Sequence, residues 1–187
     1  MNWWRKRSGG RRRWKRQGGQ SLLETAIAMP LLLGIAFNVI NFGYMWFLVL
    51  ALSAAPRHGV QYSAQGGQAM SNPTPSLASA PGTVAVSNLV YDNLTNAIKG
   101  ATTSNAAVQV CTSAKGVNTT TYVALCDQFG PAYSFPAPAA DPEAPVFVLH
   151  RVDVEYTVTP IIPGTAFNVV LPANLQFHRQ VSMRNLF

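Results

Sequence analysis

The longest feature in the pattern of hydrophobic and polar positions is an apolar stretch near the N-terminus. Residues 25–56 contain no charged side chain. A bilayer core about 30 Å thick needs roughly 20 helical residues at about 1.5 Å each, and core helices of soluble domains rarely stay uncharged on every face over such a length. The pattern therefore predicts a transmembrane helix that continues past the membrane, and we assign this helix and its extension to residues 20–65.

A second helix is predicted near the start of the C-terminal region. Apolar residues recur at helical spacing from Val86 to Ile98, and Gly100 stands where a C-terminal cap belongs. Residues 66–82, which come before it, are small or polar and include several prolines and glycines. This composition is typical of a linker between the two helices.

Three or four β-strands are predicted after the second helix. Short β-like runs occupy 107–111 and 120–126, and residues 151–158 alternate between polar and apolar side chains. A last strand after residue 174 carries its apolar side chains on one face, which Arg179 interrupts. His150 falls on the mostly apolar side of its strand, which favours a histidine with satisfied hydrogen bonds, or one at the sheet edge, over a ligand.

These elements predict an α+β fold, in which a long N-terminal transmembrane helix precedes a small exported domain with one helix and three to four antiparallel strands. The chain then divides into four parts, which are a basic cytoplasmic leader at 1–19, the transmembrane helix with its extension at 20–65, the linker at 66–82 and the exported domain at 83–187.

Charge is concentrated at the N-terminus. Eight of the 14 Lys and Arg residues lie within the first 16 positions, while the six basic and seven acidic residues from Gln20 onward give a net charge of −1. A nucleic-acid-binding domain should carry its basic footprint on the folded part of the chain, so we expect no nucleic acid partner. Because Lys and Arg flanking a membrane helix stay cytoplasmic, the leader is predicted inside and the C-terminal domain outside.

Glu24 is the residue with the most informative position. A carboxylate at the edge of the hydrocarbon costs a few kcal/mol if it is unpaired, and the next cation along the helix is Arg57. Cleavage after Gly19 would create a new amine at Gln20, which could pair with Glu24 of an adjacent, staggered molecule and set the register of an assembly. The alternatives are that the basic leader serves only as a topology signal and that Glu24 snorkels towards the headgroups.

Four further residues of the helix have predicted roles. Pro30 removes one amide from the hydrogen-bond ladder, which gives either a tolerated kink or a flexible point used during assembly. Asn38 and Asn41 lie near Gly34 on one face of the helix. Their amides could bond to a second helix or, alternatively, to groups of their own helix.

Cys111 and Cys126 are the two cysteines of the chain. In an exported domain they favour a disulfide between two strands, which would contribute about 3 kcal/mol for a loop of this size. The alternative is a pair of free thiols or a redox role. The three histidines are scattered, and no Cys-x-x-Cys, P-loop, nucleophile elbow or zinc-protease motif occurs. We therefore expect no metal, no cofactor and no catalytic residue.

The start of the helix carries a resemblance to known proteins. Gly19 followed by QSLLE and a long apolar helix looks like a type IV prepilin signal. The fuller sequence, about residues 18–65, reads GQSLLETAIAMPLLLGIAFNVINFGYMWF followed by PRHGVQYSA. It resembles the TadE-like family, which comprises pilin-like proteins of the tight-adherence, or Flp-type, pilus and secretion apparatus. The long Trp- and Arg-rich leader and the polar Asn38 and Asn41 depart from the family pattern.

The resemblance implies a structural assembly subunit, a minor pilin or pseudopilin cleaved between Gly19 and Gln20 by a prepilin peptidase. It also implies that the partners are other pilin-like subunits, the inner-membrane assembly platform and the lipid bilayer. The location would be the bacterial inner membrane, single-pass, with a cytoplasmic N-terminus, a periplasmic domain and incorporation into a surface pilus. The alternative function is an uncleaved, membrane-anchored periplasmic binding protein.

Overall fold

The structure, a computed structural model, describes residues 18–65, 81–162 and 174–186. It contains a long apolar helix and a small domain with one helix and four antiparallel strands, so the predicted α+β fold is confirmed at this level. The elements in chain order are α1 (Gly18–Ala64), α2 (Thr83–Ala97), β1 (Ala106–Cys111), β2 (Cys126–Phe129), β3 (Phe147–Val158) and β4 (Leu175–Leu186). Most of the predicted leader and of the predicted linker lies outside the described residues.

The four strands form one sheet with the order β2-β1-β3-β4, and every neighbouring pair is antiparallel. Strand β3 pairs with both β1 and β4 and is therefore a central strand of the sheet. The alternating side chains of 151–158 point to the two opposite faces of this sheet. Val152 and Val154 point to the side where the helices pack, while Arg151 and Asp153 point to the opposite side.

The hydrophobic core lies between this sheet and both helices. It is built from side chains of the second half of α1, of α2 and of β1 and β3 that are less than 10% exposed. Its main members are Leu48, Leu52, Val60, Val86, Val90, Leu94, Val108, Val110, Val152 and Val154. Burial of each large aliphatic side chain stabilises the fold by about 1.5–3 kcal/mol, so part of the long helix is integral to the domain.

The predicted strand at 120–126 is wrong, because strand β2 begins only at Cys126. The Asn118 side-chain oxygen accepts hydrogen bonds from the amides of Thr120 and Thr121 at 2.9 and 3.0 Å, which folds this stretch into a turn. The disulfide between Cys111 and Cys126 then joins β1 to β2 directly after the turn.

Gly59 marks the closest approach of three elements. A Cβ atom at this position would lie 2.5 Å from Val90 Cγ2 of α2 and 3.6 Å from both methyl groups of Val152 of β3. The absence of a side chain at Gly59 therefore allows α1 to pack against α2 and the sheet at this depth.

Gly59→Ala should destabilise the fold. The added methyl group would force α1 and α2 apart, which typically costs about 1–3 kcal/mol, while the higher helix propensity of alanine returns about 1 kcal/mol. We expect a net loss, seen as a lower Tm when the full chain is heated in detergent and followed by circular dichroism.

Gly43→Ala is the matched control, because Gly43 lies in the same helix and an added Cβ would meet no atom within 4 Å apart from its chain neighbours and the backbone of its own helix. It should leave the Tm unchanged or slightly raised. Equal stability of the two variants would contradict the close packing at Gly59.

Candidate functional site: the bare half of the long helix and its two anchors

Helix α1 has two halves with different surroundings. Between Leu22 and Ile40, ten large aliphatic side chains are 44–73% exposed. They include the consecutive residues Leu31, Leu32 and Leu33, which point about 100° apart around the helix axis. The exposed apolar surface therefore surrounds the helix up to Leu33, and beyond it the face of Gly34, Phe37 and Asn38 is half-buried. We call residues 18–40 the bare half and 41–64 the packed half.

The bare half has the dimensions of a bilayer core. From Leu22 to Ile40 the helix rises about 28 Å, against about 30 Å for the hydrocarbon of a typical membrane. The helix is long and apolar enough to cross a membrane, and its most apolar 18-residue window is 0% buried by the rest of the chain. An exposed apolar surface of this extent indicates contact with lipid or with other proteins.

The predicted processing and assembly residues all lie on the bare half. Gly19 and Gln20 stand in the first turn of α1, and Glu24 follows one turn later with an exposed side chain. Among the residues that the structure describes, Glu24 has no ion-pair partner. The helix continues without interruption through the exposed Pro30.

The predicted packing residues Gly34, Asn38 and Asn41 differ in their environments. Asn38 Nδ2 donates to the Gly34 carbonyl at 2.8 Å, which is a bond within the helix. Asn41 instead bonds to the turn after β3, since its Nδ2 donates to the Ile162 carbonyl at 3.2 Å and its Oδ1 accepts from the Ile162 amide at 3.1 Å. Asn41 is 1% exposed. Its two bonds to Ile162 anchor the end of the packed half that adjoins the bare half.

A second anchor holds the other end of the packed half. Ser63 Oγ lies 2.6 Å from Nδ1 of the fully buried His150. His150 Nε2 accepts from the Ser113 amide at 3.2 Å and lies 2.9 Å from the Ser113 hydroxyl and 3.3 Å from the Asn185 amide nitrogen. Because donors surround Nε2, the proton of the neutral ring is on Nδ1 and is donated to Ser63.

Burial also fixes the protonation state of this anchor. It lowers the pKa of His150 from its usual 6.5 to about 4. A protonated ring would turn Nε2 from an acceptor into a donor facing other donors, so the anchor requires neutral histidine.

The two anchors, at Asn41 and Ser63, are about 33 Å apart along α1. Together with the core between them they hold the packed half to the sheet, so that the bare half projects as a direct continuation of the domain. Sequence analysis did not predict either anchor. The partner of Asn41 is 121 residues away and leaves no local signal. For His150 the strand pattern predicted a satisfied or edge histidine, and the structure shows a satisfied, buried one.

The sheet face away from the helices carries a buried ion pair. Arg151 Nη2 donates to Asp153 Oδ1 at 2.7 Å, and the same oxygen lies 2.9 Å from His178 Nε2. Other N–H groups of the guanidinium donate to the carbonyls of Pro136 and Ala137 at 2.9 and 3.1 Å. These carbonyls belong to the proline-rich segment between β2 and β3, so the pair fastens that segment over the sheet.

A pocket of about 200 Å³ lies between the proline-rich segment and strands β3 and β4. Its lining includes Pro136, Pro138, Leu149, Gln180 and Ser182. Arg151 reaches it as well, but Asp153 already neutralises that charge. Within residues 18–65, 81–162 and 174–186, no group of three His, Cys, Asp or Glu side chains could hold a metal ion.

No family model, curated protein or solved structure matches this chain. The resemblance to the TadE-like family therefore stays a prediction from the residues quoted for it.

Lowering the pH from about 6.5 to 4 should destabilise the domain through His150. The ring takes up a proton near pH 6.5 in the unfolded chain but only near pH 4 in the folded chain. The unfolded state binds more protons in this window, so the stabilisation by His150 is complete above pH 6.5 and falls with pH by at most about 3 kcal/mol. Urea unfolding at a series of pH values measures this slope.

His150→Gln, which cannot titrate in this range, should flatten that slope. The matched control is His58→Gln, since His58 is exposed on α1 and 3.3 Å from Asn93 Oδ1; it should keep the wild-type slope. A His150→Gln slope equal to that of wild type would show that other groups cause the acid sensitivity.

Proposed function

We propose that this chain is a structural assembly subunit, a minor pilin or pseudopilin-like protein anchored in the bacterial inner membrane. A prepilin peptidase cleaves it between Gly19 and Gln20, and it serves the biogenesis of a tight-adherence pilus or the related secretion. The N-terminus is cytoplasmic and the folded domain is periplasmic. Its partners are other pilin-like subunits and the assembly platform.

The observation that carries this proposal is the division of one 47-residue helix into a bare apolar half and a half packed on an antiparallel sheet. A plain membrane anchor needs only the bare half and a flexible connection. Here the helix runs without a break into the core, so a force or a contact on the bare half is transmitted to the domain. This continuity suits a subunit that stacks beside its neighbours.

Glu24 supplies the specific contact in this proposal. Its carboxylate stands at the inner edge of the apolar surface, where a charge costs a few kcal/mol unless it is paired. Cleavage after Gly19 makes Gln20 the first residue and gives it an α-amine. In this proposal the amine pairs with the carboxylate of a staggered neighbour, which neutralises both charges and sets the register of the assembly.

The mature chain should begin at Gln20. Mass spectrometry of the N-terminus, on membrane and sheared surface fractions of cells that make the full chain, measures this directly. Deletion of the prepilin peptidase or a Gly19→Leu substitution should leave the chain starting at Met1, because the bulky side chain does not fit a subsite for glycine.

Ser21→Ala is the control beside the cut and should be processed as wild type is. Assembled material that contains only chains starting at Met1 would contradict the proposal and favour the uncleaved, membrane-anchored binding protein, for which the pocket under the proline-rich segment would be the site to examine.

Glu24→Ala should be cleaved normally but should not assemble. Removal of the carboxylate leaves the neighbouring amine unpaired at the edge of the lipid, a loss of about 3 kcal/mol or roughly a hundredfold in association. The amount of the chain in sheared pili, relative to the processed chain in the membrane, measures the effect.

Glu24→Asp keeps the charge and should assemble at an intermediate level, while Thr25→Ala, next to it on the exposed helix, should assemble as wild type does. Normal assembly of the Glu24→Ala protein would eliminate the pairing mechanism.

A further inference from the structure

Large apolar side chains are exposed at the end of the domain that is nearest to the bare half. Phe42, Trp46 and Phe47 on the outer side of α1 are 49%, 59% and 51% exposed, and Ile161 in the turn after β3 is 55% exposed. Ile161 directly precedes Ile162, whose backbone is bonded to Asn41, so it lies at the level where the packed half begins. We call these four residues the aromatic foot.

Helix length places the foot relative to a membrane in two independent ways. Counted from Glu24, where the uncharged stretch begins, about 20 helical residues cross about 30 Å of hydrocarbon and end near Tyr44. Counted from the burial pattern, one face of the helix is half-buried from Gly34, and Asn41 is its first fully buried residue. The two estimates agree within about one helical turn, and both put the foot at the outer boundary of the hydrocarbon.

The chemistry of the foot fits that boundary. Aromatic side chains, tryptophan above all, are enriched at the level of the lipid headgroups, where one part of the ring is in apolar surroundings and another part is wet. The first charged residue beyond the foot on α1 is Arg57, about 16 Å above Trp46. The turn from Thr159 to Ile162 also carries no charge, so nothing in the foot opposes contact with lipid.

We propose that the aromatic foot seats the C-terminal domain on the outer headgroup layer of the same bilayer that the bare half crosses. Lipid, rather than water or a second chain, covers Phe42, Trp46, Phe47 and Ile161. This inference rests on the proposed membrane anchor. It adds the position of the C-terminal domain relative to the bilayer, which is directly on the outer headgroup layer. The anchors at Asn41 and Ser63 prevent the domain from rising away from the surface, since the helix between them is part of the core.

Depth-dependent fluorescence quenching of Trp46 tests this seating. The full chain carries Trp3→Phe, Trp4→Phe and Trp14→Phe, so that Trp46 is the one tryptophan left, and is placed in phosphatidylcholine vesicles whose acyl chains are brominated either near the headgroup or near the chain end. Trp46 should lose the most fluorescence with bromine near the headgroup.

Two single-tryptophan variants of the same chain, with Trp46→Phe, provide the depth scale. Leu33→Trp in the bare half should be quenched most by bromine near the chain end. Val84→Trp on α2 should be quenched by neither lipid, although Val84 is as exposed as Trp46, at 60% against 59%. Its helix starts at the far end of the sheet, where Thr83 bonds to Asp127 at 2.6 Å.

The outcomes separate this inference from the proposed function. If the Leu33→Trp protein is not quenched, the membrane anchor itself fails, and the foot fails with it. If that protein is quenched deeply while Trp46 is not quenched at all, the anchor stands and the seating is overturned. Quenching of Trp46 that disappears as the protein-to-lipid ratio rises would also overturn it, because a second chain would then displace the lipid.

Discussion

The structure depends on one constraint, which is that the single continuous helix α1 has two different environments along its length. A helix bonds all of its interior backbone groups internally, so it can leave a packed core and continue with no other part of the chain around it. The packed half buries one face against α2 and the sheet, and Asn41 and His150 fix its two ends. The domain and the bare half are therefore mechanically one body.

The domain uses polar groups mainly to fix elements in place. His150 joins the end of α1 to the sheet and to the loop after β1, and Arg151 fastens the proline-rich segment to the opposite face. Both side chains are neighbours on β3 and point to opposite sides of the sheet. In both cases a buried polar group is costly unless it is bonded, and the bonds that satisfy it specify where a distant segment lies.

Local patterns predicted much of this architecture. The uncharged stretch predicted α1, and the alternation at 151–158 predicted the central strand, because hydropathy and period two act at short range. The same apolar composition hid where the packed half begins, since exposed apolar residues and core-facing residues have the same hydropathy. Strand β2 was misplaced because the side chain of Asn118 builds a turn there. Arg179 interrupts an apolar face without cost, since it is exposed on the edge strand β4.

The most direct test of this account is nitroxide scanning of residues 24–50 of the full chain in a lipid bilayer. It compares accessibility to oxygen, which concentrates in hydrocarbon, with accessibility to a water-soluble nickel complex. The account predicts high oxygen accessibility all around the helix up to Leu33, and then from Gly34 a 3.6-residue period that deepens at Asn41, as one side enters the protein core. Uniform accessibility to the nickel complex, or a 3.6-residue period already present between Glu24 and Leu33, would contradict a bare half surrounded by lipid.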